Sequence, residues 1–356
     1  MSPGPPGEPT QARSADPART RVSRLRVGLL GVGSIEIPPR GWGAVEDYVA
    51  NLDRELRALG HEVTVVNRIP GFRSRRVREF ISAATLFHEL PRGSFDILHA
   101  HSPITTEALT VLRRPYVLTS HSRYWLPETH GIERLWRAGD AMAVRNARGV
   151  VALTPRVVPT FEQLRRRSAH PDRVACIPFG VDHDRFRPAP DPAGRRGVVG
   201  LGVVAPHKRF DILAAAARKA GAAATIIGPT PGTSTRADLL RLNPELEFTG
   251  EVPAAELGPR IASGRVFVHP SDMELASVAT IQAMACGLPV VGSDLVEGIV
   301  THGHDGVLVD HQKFVFRWSR IRGERLRQDP RQLKTPPAAR SVRTSDEDVG
   351  RKNEAL

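Results

Sequence analysis

Apolar residues in the first part of the chain alternate between short continuous runs and helical spacing. The run Leu25–Leu30 ends at Gly31 and is typical of a buried strand. Beyond it, apolar side chains recur every three or four residues, as on one face of a helix, at Val45, Tyr48, Val49, Leu52, Leu56 and Leu59. Gly60 favours a helix end, and 63–66 is the next apolar run. The pattern predicts a strand–helix–strand unit.

The alternation continues along the chain and is interrupted once, at 187–196, where three prolines occur. Before this break we predict strands at 95–99, 116–120, 149–153 and 173–178 and helices at 131–147 and 156–168. After it we predict strands at 198–204, 223–228, 246–249, 265–269, 288–292 and 306–309 and helices at 208–220, 235–242, 253–263 and 278–286. Strands separated by helices form parallel sheets, so we predict an α/β protein with two doubly wound domains.

This pattern divides the chain into four segments. Residues 1–24 have no periodicity and are expected to be a disordered tail, and 25–186 and 187–310 are the expected domains. Residues 311–356 are expected to be a basic, poorly packed tail. Ligands bind at the carboxyl ends of the strands in such sheets, so the cleft between the domains is the expected site.

Composition excludes several classes of protein. The 356 residues are 40% hydrophobic and 25% charged, which excludes a wholly disordered chain. No apolar run approaches the ~18 residues of a membrane span. Cys176 and Cys286 are the only cysteines, which excludes a disulfide framework and a thiolate metal site. Residues 1–20 contain no apolar signal region, and we expect a cytoplasmic protein.

The net charge of +12 raises the question of nucleic-acid binding. Residues 1–26 carry +3 and residues 311–356 carry +6, which leaves +3 for residues 27–310. A nucleic-acid-binding protein concentrates its basic residues on the folded domain. We therefore expect no nucleic-acid partner.

Three short motifs resemble ligand sites but favour simpler interpretations. Gly31 and Gly33 follow the first strand, but Glu36 breaks the dinucleotide-binding fingerprint, so we predict a tight turn. Asp182, His183 and Asp184 resemble a metal-binding triplet but favour a turn after a strand. The pair His99 and His101 lacks a nearby third ligand, so we expect no metal site.

Other polar residues stand where a parallel sheet places ligand contacts. Two glycines, Gly41 and Gly43, flank Trp42 before the first helix and let a ligand approach its N-terminus, although a plain turn is an equal alternative. His101 and His121 each follow a predicted strand, and Lys208 begins a helix; each could bind a ligand or merely cap or solvate the structure. Glu274 and Gln282 flank a predicted helix start and could face one ligand.

Six segments occur in order between about Leu25 and Asp310: PPRGWGAVEDYVANLDRELRALGHEVTVV, FDILHAHS, YVLTSH, VACIPFGVDHDRFRP, LEFTGEVPAAEL and HPSDMELASVATIQAMACGLPVV. Together they resemble the retaining glycosyltransferases of family 4, which have the GT-B fold. The resemblance implies two Rossmann-like domains, the first binding an acceptor and the second a UDP- or GDP-sugar donor. It implies no metal and no cofactor beyond that co-substrate.

The resemblance also implies site residues. The candidate catalytic residues are His121, beside the donor sugar, Lys208, on the donor pyrophosphate, and Glu274, on the sugar hydroxyls. The implied donor-binding residues are Gly41, Gly43, Lys208, Arg209, Val252, Glu274, Ala276, Ser277, Val278 and Gln282. The implied acceptor-side residues are Trp42, His101, Arg123 and Tyr124.

Three features depart from the family pattern. Val203 stands where the family has an arginine on the donor phosphates, and Arg209 would have to take its place. Gln282 replaces the glutamate that binds the ribose, which removes a charge-assisted hydrogen bond. The Arg-rich tail from His311 does not resemble the family's last helices, whose loss could loosen closure of the cleft.

Three hypotheses for activity follow. The first is transfer of a sugar from a nucleotide-diphosphate sugar to an acceptor hydroxyl with retention, in which the donor phosphate helps to deprotonate the acceptor. The second is a catalytically impaired relic or binding protein on the same fold, favoured by Val203, Gln282 and the tail. An epimerase or another nucleotide-sugar enzyme is a third hypothesis.

Residues 73–90 leave a question about membranes open. Four arginines, Arg73, Arg75, Arg76 and Arg78, precede apolar residues at helical spacing. Such a segment can lie on an anionic membrane, where a lipid-linked acceptor would be reached, or pack its apolar face in the core.

Overall fold

The computed structural model describes residues 23–40, 43–71, 78–79, 81–85, 90, 93–122, 125, 133–230 and 232–310. The predicted tail 1–24 lies outside these residues except for residues 23 and 24. The predicted tail 311–356 lies outside them entirely, as does most of the basic segment 73–90. Both sheets described below belong to one compact unit, residues 1–315. Among the described residues, no helix is long and apolar enough to cross a membrane.

The first six strands form one parallel sheet in the order β2-β1-β3-β4-β5-β6. The strands are β1 Arg26–Leu30, β2 Glu62–Val66, β3 Ile97–Ala100, β4 Val117–Thr119, β5 Gly149–Ala152 and β6 Val174–Cys176. Helices that accompany them among the described residues include α1 Ala44–Ala58, α2 Pro103–Val111, α3 Glu133–Asn146 and α4 Val158–Arg165. The order reverses at β1, where a parallel sheet opens a crevice.

The remaining strands form a second parallel sheet in the order β12-β11-β10-β7-β8-β9. The strands are β7 Val198–Leu201, β8 Ala224–Ile227, β9 Glu247–Gly250, β10 Val266–His269, β11 Val290–Ser293 and β12 Gly306–Val309. Their helices are α5 Phe210–Ala220, α6 Thr233–Leu242, α7 Ala254–Ala262 and α8 Val278–Ala285. The two sheets confirm the predicted fold class.

Helix α2 is an element that the hydrophobic pattern did not predict. Five of its nine residues are β-branched, and such residues have low helix propensity. Pro103 starts the helix at a position where proline is tolerated, and burial of Thr105, Thr106 and Leu109 then stabilises it. Tertiary packing decided this element.

The loop between β1 and α1 is longer than the tight turn that we predicted. Gly33 does adopt a positive φ of 74°, but the helix begins only at Ala44. Asn67 holds the loop, since its Oδ1 accepts from Gly33 N at 2.9 Å and its Nδ2 donates to the Ile35 carbonyl at 2.8 Å. The chain thus has room to reach the sheet edge before it enters α1.

The connection between the sheets is held against α1 by two ion pairs. Arg54 Nη1 lies 3.0 Å from Asp182 Oδ2, and Arg185 Nη1 lies 2.9 Å from Asp47 Oδ1. The other oxygen of Asp182 accepts from the backbone N–H groups of Asp184 and Arg185. The segment from Asp182 to Asp184 is therefore a turn, as predicted.

Candidate active site

A cavity of about 220 Å³ lies between the carboxyl ends of the two sheets. Residues from both halves of the chain line it: Ala44, Val45, His121, Leu153 and Phe179 from the first, and His207, Lys208, Met273, Glu274, Leu275, Ala276 and Val278 from the second. The three candidate catalytic residues, His121, Lys208 and Glu274, thus face one space although they are far apart in sequence.

Lys208 reaches the cavity from the turn after β7. Gly202 leaves that strand with a φ of +140°, which L side chains rarely adopt. A single 3₁₀ turn, Pro206–Lys208, then delivers the lysine ahead of α5. Its Nζ donates to Glu274 Oε2 at 2.8 Å, in a pair whose side chains are only 19% and 13% exposed.

Glu274 lies in the loop between β10 and α8 and has a second partner. His269 Nε2 is 3.0 Å from the same Oε2 atom. Burial alone would raise the pKa of the Glu274 carboxyl, but the Lys208 charge and the His269 hydrogen bond outweigh it and hold that pKa far below its usual range. Glu274 is therefore ionised at neutral pH.

The start of α8 borders the same cavity. Ser277 caps the helix by accepting from Thr280 N at 3.2 Å, and its hydroxyl is 3.2 Å from His269 Nε2. Ala276 and Val278 line the cavity on either side of this cap. The N-terminal end of a helix favours an anion, so this end of the cavity combines a helix dipole with the ammonium of Lys208.

Three histidines near the carboxyl ends of β3 and β4 form a largely buried, uncharged cluster in which His101 is fully buried. His101 Nδ1 and His121 Nε2 are 3.3 Å apart, and His99 Nε2 is 2.7 Å from Thr119 Oγ1. Burial lowers the pKa of His121 to about 3 and that of His99 to about 4, and lowers the pKa of His101 well below its usual value. Only His121 of these lines the cavity, and its Nδ1 has no partner among the described residues.

Aromatic packing from α1 and from the segment after β6 encloses the histidine pair. The Tyr48 ring makes edge contacts with His101, His121 and Phe179, at centroid distances of 5.5, 5.2 and 5.3 Å. These rings displace water from much of the histidine surface, and this desolvation lowers the pKa of both imidazoles.

Five of the implied donor-binding residues that the structure describes do not line the cavity: Gly43, Arg209, Val252, Ser277 and Gln282. Arg209 turns away and forms a buried pair with Asp211, with distances of 3.1 and 3.2 Å from Nε and Nη2 to the carboxylate. Gln282 is 8% exposed, one turn into α8 as its spacing predicted. Val252 packs against the core of the second sheet. The structure thus does not place Arg209 where it could replace the missing arginine at Val203.

The remaining predicted residues surround the cavity or lie outside the described chain. Gly43 caps α1, next to the cavity residue Ala44. His101 is buried behind His121. The predicted residues Gly41, Trp42, Arg123 and Tyr124 lie outside the described residues.

Sequence reasoning missed His269 and Phe179 as site residues. His269 ends β10, so the rule that identified His101 and His121 would have identified it too. Phe179 follows β6 in an irregular segment, and only the fold brings it to the cavity.

The histidine pair at 99 and 101 and the acidic turn at 182–184 resemble metal sites in sequence. Within the part of the chain that the structure describes, no group of three or more His, Cys, Asp or Glu side chains could hold a metal ion.

Comparison with protein families gives two matches in the order of the two sheets. Residues 45–185 match the model described as Glycosyltransferase Family 4, and residues 195–319 match the one described as Glycosyl transferases group 1. Together they span about three quarters of the chain.

Curated relatives agree with these matches. D-inositol 3-phosphate glycosyltransferase of Frankia alni is 27% identical over 331 residues, covering 74% of this chain and 81% of the relative. The sulfoquinovosyl transferase SQD2 of Arabidopsis thaliana is 30% identical over 281 residues, covering 68% of this chain and 55% of the relative.

Solved structures share the fold. Sucrose-phosphate synthase from Thermosynechococcus elongatus superposes with a TM-score of 0.68 at 20% identity, over 81% of this chain and 86% of that one. The catalytic domain of starch synthase IV from Arabidopsis thaliana, bound to ADP and acarbose, has a TM-score of 0.61 at 14% identity, over 84% of this chain and 92% of that one.

Proposed function

Since this chain belongs to the family 4 glycosyltransferases and has the GT-B fold, we propose that it transfers a sugar from a nucleotide-diphosphate sugar to an acceptor hydroxyl with retention of configuration. The observation that carries the proposal is one cavity, between the two sheets, that joins Lys208, the start of α8, Glu274 and His121. The ammonium and the helix start can bind the phosphates of such a donor, and the carboxylate and the imidazole can form hydrogen bonds with its sugar.

The donor phosphates would lie at the start of α8, within reach of Lys208. The lysine stabilises the negative charge that develops on the departing diphosphate, and such preorganised electrostatics lower the barrier by several kcal/mol. Lys208 is bound to Glu274 before the donor arrives, so phosphate oxygens would compete with that carboxylate for the ammonium.

The donor sugar would then lie between Glu274 and His121. Glu274 is ionised and accepts hydrogen bonds from sugar hydroxyls, while His269 remains as its support. His121 is neutral, so it exchanges hydrogen bonds with the sugar without adding positive charge beside the reacting carbon. The cavity of about 220 Å³ is smaller than the ~300–1,000 Å³ of ligand pockets that hold a whole drug-sized molecule, so we expect it to hold the sugar and phosphates only.

Transfer breaks the bond between the anomeric carbon and the phosphate oxygen and forms one to the acceptor oxygen. We propose that the departing phosphate oxygen takes the acceptor proton on the same face, which gives retention and releases a nucleoside diphosphate. Glu274 is the only carboxylate among the lining residues that the structure describes, and Lys208 and His269 hold it, so we assign no protein nucleophile.

A thermal-shift panel with UDP, GDP, ADP and their common sugar conjugates tests donor binding. A ligand at 100 times its dissociation constant adds about 2.7 kcal/mol to the free energy of unfolding, so we expect a clear rise in Tm with one nucleotide class. The nucleosides without phosphates serve as controls. No shift with any nucleotide would favour the relic hypothesis, which Val203 and Gln282 motivate.

The anomeric configuration of the product tests retention. Proton NMR of the transferred sugar is expected to show the same anomeric coupling as in the nucleotide sugar. An inverted product would contradict the same-face mechanism but leave glycosyl transfer intact. A product formed without acceptor, by change at a sugar carbon, would instead indicate an epimerase.

The acceptor side is less constrained by the described residues. Four statements stay predictions. The enzyme is expected to need no metal and to use a UDP- or GDP-sugar as donor. It is also expected to act on a lipid-linked acceptor and to contact an anionic membrane peripherally at a cytoplasmic location. The basic segment that motivated membrane contact lies mostly outside the described residues.

A further inference from the structure

We propose that Arg156, on the first sheet's side of the cleft, is a positioning residue that holds Glu274 of the opposite side in place for the donor sugar. The inference rests on the proposed function, in which Glu274 binds that sugar. No motif of the sequence singles out Arg156, and it does not line the cavity.

Arg156 lies in one loop of the first sheet and contacts two loops of the second. It lies in the 3₁₀ turn Pro155–Val157, between β5 and α4. Its Nη1 is 3.4 Å from the carbonyl oxygen of Glu274 and 3.4 Å from that of Leu295. These carbonyls belong to the loops after β10 and β11, so one guanidinium ties both loops of the second sheet to the first.

Leu275 adds an apolar contact at the same place. This residue belongs to the loop between β10 and α8, yet its side chain packs against the core cluster of the first sheet. It also lines the cavity, with Leu153 from the strand end that precedes Arg156. The residue next to Glu274 is therefore inserted into the opposite half of the molecule.

Together these contacts fix the backbone of Glu274, and they do not depend on the partners of its carboxylate. When donor phosphates draw Lys208 away, the carboxylate loses its 2.8 Å partner. The carbonyl contact from Arg156 and the packing of Leu275 persist, so the carboxylate stays aimed into the cavity. Pre-organised orientation of this kind accelerates a reaction without any contact to the reacting atoms.

An arginine suits this role better than a lysine does. The planar guanidinium offers several N–H donors in a fixed fork, and its charge persists at every physiological pH. An ammonium on a flexible stem loses more rotamer freedom for each hydrogen bond. Arg156→Lys should therefore restore only part of what Arg156→Ala loses.

Hydrogen exchange of the free protein tests the contact without any substrate. In Arg156→Ala and in Leu275→Ala we expect the amides of residues 271–283 to exchange about tenfold faster, while those of β5 and α4 stay unchanged. Arg167→Ala, an exposed arginine two residues beyond α4, is the matched control. Unchanged exchange at 271–283 in both variants would overturn the proposal.

A double-mutant cycle tests whether Arg156 acts through Glu274. We expect Arg156→Ala to lower kcat/KM for the donor about tenfold in the wild-type background and less than twofold in the Glu274→Gln background. The affinity for the nucleoside diphosphate, which lacks the sugar, should not change. Equal losses in both backgrounds would overturn the inference. If no donor is turned over by the wild type, the proposed function fails, and hydrogen exchange still decides whether Arg156 holds the loop.

Discussion

Replacing Lys208 with alanine is expected to lower turnover of the donor about 10³-fold, the size of effect seen when one preorganised donor to a developing anion is lost. Stability should fall as well, since the buried Glu274 carboxylate loses the ammonium 2.8 Å away. The pKa of Glu274 should rise, because burial raises it and the Lys208 charge no longer opposes that effect. Steady-state kinetics and chemical denaturation at pH 7.5 measure the two losses.

The chain offers a close control and a compensating variant for this experiment. Lys219→Ala removes a lysine from the exposed end of α5 and should leave both quantities unchanged. Adding Glu274→Gln to Lys208→Ala removes the unpaired charge, so Tm should recover while activity stays lost. Full activity in Lys208→Ala would contradict the assignment of the phosphate site.

Acidification is expected to destabilise the protein steeply between about pH 6.5 and pH 4. The histidines His99, His101 and His121 are neutral in the fold because burial lowers their pKa values, whereas in the unfolded chain they take up protons near pH 6.5. The unfolded state therefore binds more protons over this window, and stability rises with pH. Each imidazole that stays neutral contributes a loss of about 2 kcal/mol at pH 5.

One buried carboxyl acts in the opposite direction. Burial raises the pKa of Asp140 to about 7, so this group stabilises the fold as pH falls towards its unfolded value. Its gain in the free energy of unfolding offsets about as much as one of the three histidines loses. Denaturation at pH 7.5 and pH 5.0 should show the net loss.

Single substitutions separate the histidines from other acid effects. His99→Gln, which keeps a polar group near Thr119, should reduce the slope of stability against pH by about one proton. Equal stability of the wild type at pH 7.5 and pH 5.0 would show that the cluster is charged in the fold.

The strands, most of the helices and their order along the chain follow from the sequence, because hydrophobic periodicity reflects which side of a strand or helix is buried. It also placed His121, Lys208 and Glu274 at the carboxyl ends of strands, where the topology of parallel sheets concentrates ligand contacts. The sequence pattern did not predict helix α2, because the helix propensity of its residues is low and burial of its threonines is what stabilises the helix.

Which charged groups pair with each other depends on the folded structure. Lys208 and its neighbour Arg209 are adjacent in sequence, yet one faces the cavity and the other is paired with Asp211. Arg156 and Leu275 connect the two sheets across more than a hundred residues of chain. The neutral state of the histidines depends on rings that α1 and the segment after β6 bring over them. Pairing and desolvation depend on distances through space, and neither is encoded in spacing along the chain.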